Sequence, residues 1–114
     1  MVEEYKEALE LVKRKFEIIG FYLIKDEDFY AEFIGDNNWK IVFEGERYIR
    51  PTYDIIIEKG EFNFSTRLLM NIFDNGKKRS LENRLNFIIE YKDKIFDETF
   101  PYKEKYDELN KIPY

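Results

Sequence analysis

The sequence contains no cysteine and no histidine. The first absence removes disulfides, thiolate nucleophiles and cysteine-based zinc sites, and it fits a reducing compartment. The second removes the commonest general base near neutral pH and the commonest transition-metal ligand. Glycine and proline are sparse, with five and three in 114 residues, and no Gly-rich phosphate loop occurs. Nor is there an apolar run of the roughly 18 residues that a membrane-spanning helix needs. The N-terminal stretch MVEEYKEALELVKRK is charged from its third residue and has no apolar signal core. The expectation is a cytoplasmic protein without a metal or cofactor.

Aromatic rings and charge are what the chain has in abundance. Of its residues 18% are aromatic, including 11 Phe and 9 Tyr, and 38% are charged. A domain of this size buries about 65% of its extended surface, and each ring adds roughly 150–250 Å². One domain over residues 1–114, with an aromatic core under a densely charged exterior, is therefore expected.

The pattern changes period twice. Tyr5, Leu9, Val12, Phe16 and Ile19 recur at helical spacing, which predicts an amphipathic helix over 2–19 that ends at Gly20. FYLIK (21–25), FYAEFI (29–34), WKIVFE (39–44) and TYDIIIE (52–58) alternate with a period near two, and a short fifth strand is expected at 61–64. Asp26, Glu27 and Asp28 read as a turn, and Gly45 as a bulge or turn. Phe29, Ala31 and Phe33 share a face, as do Trp39, Ile41 and Phe43, so one side of the sheet is aromatic. Ser65 or Thr66 can cap a helix TRLLMNIF, 74–79 reads as a turn, and Ser80 can cap a helix from 81 to about 97. Pro101 suits the start of a last helix in which Tyr102, Tyr106 and Leu109 align. The class is α+β: an N-terminal helix, an antiparallel sheet of four to five strands, and two to three C-terminal helices on one face. Phe33, Ile41, Phe43, Ile55, Ile57, Leu69 and Ile88 are the expected core.

Charge is distributed unevenly. Residues 21–60 hold nine acidic side chains against five basic ones, a net of −4 in a chain of net −5. Such an excess with interleaved rings can steer a basic protein and supply anchors. It opposes phosphate binding, so nucleic acid is not an expected partner. The candidate partner-binding residues are Asp26, Glu27, Asp28, Tyr30, Glu44, Glu46, Tyr48 and Asp54. Arg47 and Arg50, set among Glu44, Glu46 and Asp54, read as a cross-strand ion-pair set, and Pro51 as a strand edge or start. Glu44 with Glu46 is a carboxylate pair of the kind used in acid–base work or Mg²⁺ binding. It has no third ligand at fixed spacing, and Asp26 with Asp28 lacks the EF-hand pattern. No catalytic residue is assigned.

The run ERYIRPTYDIII (46–57), followed by a turn and FNFSTRLLMNIF (62–73), resembles the small immunity proteins encoded beside bacterial polymorphic and contact-dependent inhibition toxins. The resemblance covers residues 39–73. It implies a cytoplasmic, non-enzymatic protein that binds and blocks one cognate toxin domain, often a basic nuclease. An adaptor or structural module, dimerising through an exposed strand edge, is the alternative from the residues alone. An enzyme or small-ligand carrier is the third class.

Overall fold

The computed structural model describes residues 1–48, 52–73, 78 and 80–111. The first apolar stripe forms helix α1 (Glu3–Ile18), which buries Tyr5, Ala8, Leu9, Val12 and Phe16. Gly20 ends it at φ +82°, a region in which a Cβ would be strained. The chain then runs through β1 (Tyr22–Glu27), β2 (Tyr30–Ile34), β3 (Trp39–Gly45), β4 (Tyr53–Lys59) and β5 (Phe62–Ser65). All neighbours are antiparallel, in the order β1-β2-β3-β4-β5. A meander of this kind needs only short turns, which the polar breaks in the sequence supply.

Helices α2 (Thr66–Phe73), α3 (Leu81–Glu90), α4 (Lys92–Ile95) and α5 (Lys103–Asn110) complete the fold. Helix α1 packs on β1 and α3, and α2 packs on β4, β5, α3 and α5. The core lies between this layer and one sheet face. Phe33, Ile41, Phe43, Ile55, Ile57, Leu69 and Ile88 are all fully buried there, as the alternation predicted.

Several local expectations are corrected. Asp26 and Glu27 belong to β1, and the turn begins only at Asp28. Gly45 is no bulge, for it pairs in register with Tyr53. Its reason is steric: a Cβ there would stand 2.5 Å from the Tyr5 ring. Thr66 is the first residue of α2, and its hydroxyl donates to the Ile55 carbonyl at 2.8 Å. Ser80 does cap α3, accepting from the Asn83 N–H at 3.2 Å. The single helix expected over 81–97 breaks at Tyr91, whose ring stacks on Phe73 at 5.5 Å. The break redirects α4 so that Phe96 meets Trp39 at 5.3 Å and Phe21 at 4.8 Å. Arg50, Pro51 and the turn at 74–79, apart from Lys78, lie outside the described residues.

The two sheet edges differ. At β5 the Ser65 N–H donates to the Tyr106 hydroxyl at 2.8 Å, while Tyr102 and Tyr106 close edge-on over Phe64, each at 5.0 Å. The C-terminal rings therefore pack back on their own domain. At β1 a register shift between Leu23 and Lys25 and three successive charges, Lys25, Asp26 and Glu27, blunt the edge.

Candidate functional site

The face of the sheet away from the helices carries the other half of every alternation. Strand pairing sets Glu27 opposite Tyr30, Tyr30 opposite Glu44, and Glu44 opposite Asp54. Four of the eight candidate residues, scattered over 28 positions of sequence, thus form one row across four strands. The next row is Lys25, Glu32, Val42 and Ile56, and the third joins Ile34, Lys40 and Glu58. Val42 is buried yet stands apart from the core cluster, screened by neighbours on its own face.

Glu32 organises this face, and it was not among the candidates. It is only 8% exposed, and its carboxylate pairs with Lys40 at 3.2 Å and Lys25 at 3.8 Å. Burial pushes its pKa up, but the bonds from Lys40 and Tyr30 and the field of both lysines outweigh burial and hold it below the usual carboxylate range. The Tyr30 hydroxyl is pushed up to about 12, first by burial and then by its bond to Glu32 and the charges of Glu32, Glu58 and Glu44. A signal for Glu32 existed in the sequence. It alternates with Ala31 and Phe33, and the reversal at GDNN brings Lys40 back beside it.

The lysines are thereby committed. Lys25 also pairs with Glu27 at 3.2 Å, so no basic side chain among the described residues pairs with Glu44 or Asp54. Burial, then repulsion from Asp54, Glu46 and Glu58, raises the pKa of Glu44. Of the expected ion-pair set of Arg47 and Arg50 with Glu44, Glu46 and Asp54, Arg50 lies outside the described residues. The Arg47 guanidinium lies over the Phe29 ring, 5.0 Å from the centroid.

Comparison with known proteins adds no relative: no family model matches the chain, and neither curated proteins nor solved structures show a match.

The other four candidates lie around the row. Asp26 pairs with the N-terminal ammonium at 2.5 Å. Asp28 is in the β1–β2 turn, and its carbonyl accepts from the Val2 N–H at 2.8 Å. Glu46 follows β3, its carbonyl taking the Tyr5 hydroxyl at 2.6 Å, and Tyr48 is 89% exposed. Glu27, Asp28, Phe29, Tyr30 and Arg47 line a cavity of about 440 Å³ at the end of the row. Among the described residues no group of three or more carboxylates has the geometry to hold a metal ion, and no helix is long and apolar enough to cross a membrane. Chemically, the face is a field of negative charge around a screened ionic centre.

Proposed function

We propose that this chain is a protein-binding inhibitor of the immunity type, which binds and blocks a basic toxin domain, such as a nuclease, through its acidic sheet face. The observation that carries the reading is the row Glu27, Tyr30, Glu44 and Asp54 on a face that no helix among the described residues covers. Like charges directly opposite one another in a sheet are destabilising, and Glu44 beside Asp54 keeps that arrangement without a basic partner among the described residues. A cationic protein surface relieves it. The resemblance of residues 39–73 to immunity proteins points the same way. Such a face speeds encounter with a basic partner and suppresses acidic ones.

A dimerising adaptor is the second reading, favoured by the exposed Ile18, Tyr22 and Ile24 near the β1 edge. The register shift and charges on that edge weigh against it. The deciding experiment is affinity capture from the native host, followed by an activity assay of the captured protein and binding kinetics at low and high salt. Inhibition of a basic protein with a salt-sensitive association rate supports the first reading. An acidic partner, or a stable dimer dispersed by Ile24→Lys, removes it in favour of the second.

A further inference from the structure

We infer a second site at the opposite end of the sheet from the acidic row: a cavity of about 240 Å³ that binds a free apolar α-amino acid. It lies where the chain enters β1 and where β2 turns into β3, and Phe96, just past α4, closes on it. Two observations carry it, and neither depends on the reading of the sheet face. Trp39, the only tryptophan of the chain, lines the cavity and is 2% exposed, yet its indole N–H has no acceptor among the described residues. Its backbone N–H donates to the Asp36 carbonyl, so the orphan is the side chain alone. A buried donor left unpaired is costly, and native structures keep few of them. The second observation is charge. Asp36, Lys92 and Asp93 line the same cavity, and none of the three forms an ion pair among the described residues. Charges of both signs border one hollow without meeting each other.

Together these set the chemistry of the ligand. A cation alone would leave the indole N–H and Lys92 unanswered, and an anion alone would meet two carboxylates. A zwitterion satisfies all of them. Its carboxylate accepts from the indole N–H and the Lys92 ammonium, and its ammonium donates to Asp36 and Asp93. Ile19, Phe21 and Phe96 supply an apolar wall for its side chain, with the rings of Phe21 and Phe96 held together at 4.8 Å. Size agrees. The cavity exceeds several-fold the volume of one water, about 30 Å³, and falls below the roughly 300–1,000 Å³ of pockets for drug-sized ligands. Lys59 steadies the polar side: its ammonium lies 5.6 Å from the centroid of the Trp39 ring and donates to the Asn37 carbonyl. The indole and the turn that carries Asp36 are thereby joined before a ligand arrives.

Having a single tryptophan makes the test direct, because its indole N–H gives one signal in a proton–nitrogen NMR spectrum of the full chain. The chain is titrated with leucine and with phenylalanine, and then with leucinamide and N-acetylleucine, which lack the carboxylate and the ammonium charge respectively. The free amino acids are expected to shift the indole signal saturably, with leucinamide and N-acetylleucine each bound about tenfold more weakly than leucine. Lys92→Gln, at an exposed position, should erase the preference over leucinamide. Asp36→Asn with Asp93→Asn, also exposed, should erase the preference over N-acetylleucine. Trp39→Phe, followed by calorimetry, should weaken leucine binding; should that variant fail to fold, the Lys92→Gln arm decides. No shift at millimolar amino acid, or equal shifts by all four ligands, overturns the site while leaving the acidic face in place. An indole signal that shows contact with water alone assigns the donor to hydration and overturns the site as well.

Discussion

Replacing Gly45 by alanine tests how α1 is locked to the sheet beside the candidate site. A Cβ at this position would lie 2.5, 2.6 and 2.8 Å from three carbons of the Tyr5 ring. Carbon atoms in contact rest at about 3.5–4.0 Å, so the ring must retreat by about 1 Å. Tyr5 is fully buried between Phe29 and Tyr53, edge-on to both, and its hydroxyl donates to the Glu46 carbonyl at 2.6 Å. Overpacking of this kind costs about 1–3 kcal/mol, and weakening that hydrogen bond about 1 kcal/mol more. Against this, alanine in a strand is favoured over glycine by roughly 0.5–1 kcal/mol. The expected net loss is about 1–3.5 kcal/mol, seen as a lower urea midpoint and a fall in Tm of about 4–15 °C. A double-mutant cycle with Tyr5→Ala isolates the cause. Without the ring the added methyl has nothing to strike, and Gly45→Ala should be neutral or stabilising. Equal losses in both backgrounds, or a loss below about 0.5 kcal/mol in the parent, would refute the steric account.

Three further outcomes are expected. Phe43→Ala, which empties a fully buried site stacked on Tyr53 at 5.5 Å, should destabilise by about 3–5 kcal/mol in urea unfolding. The two carboxyls of opposite shift should separate in a pH titration of stability. The folded pKa of Glu32 is depressed, so its contribution is complete above the ordinary value near about 4.3 and is lost as pH falls through the folded pKa; Glu32→Gln should flatten that acid limb. The folded pKa of Glu44 is raised, so its ionised form opposes folding; Glu44→Gln should stabilise at neutral pH, with the gain vanishing below about pH 4.3. Finally, Glu44→Lys with Asp54→Lys should leave the circular dichroism spectrum intact while slowing association with a basic partner and reducing its salt dependence; an unchanged rate counts against the electrostatic reading.

Much of the fold was legible in the chain because its signals are local. The spacing of Tyr5, Leu9, Val12 and Phe16, and the alternation in FYAEFI and WKIVFE, state a period and so a face, whatever lies opposite. The Ser80 cap and the end of α1 at Gly20 depend on neighbours a few residues away. What the sequence by itself determined was the class, the order of elements, the core face and the acidic excess. Register is different, because it depends on how distant segments meet. Only the tertiary structure decided that Glu27, Tyr30, Glu44 and Asp54 stand in one row, and that Asp26 turns to the N-terminal ammonium. Glu32 became the buried centre of the open face because two lysines from neighbouring strands converge on it. Gly45 was misread for the same reason: its constraint is the ring of Tyr5, forty residues earlier in the chain. The break at Tyr91 likewise belongs to Phe73, which no window along one helix contains. A period declares which side of an element is apolar, whereas a contact between distant residues exists only once the chain has closed on itself.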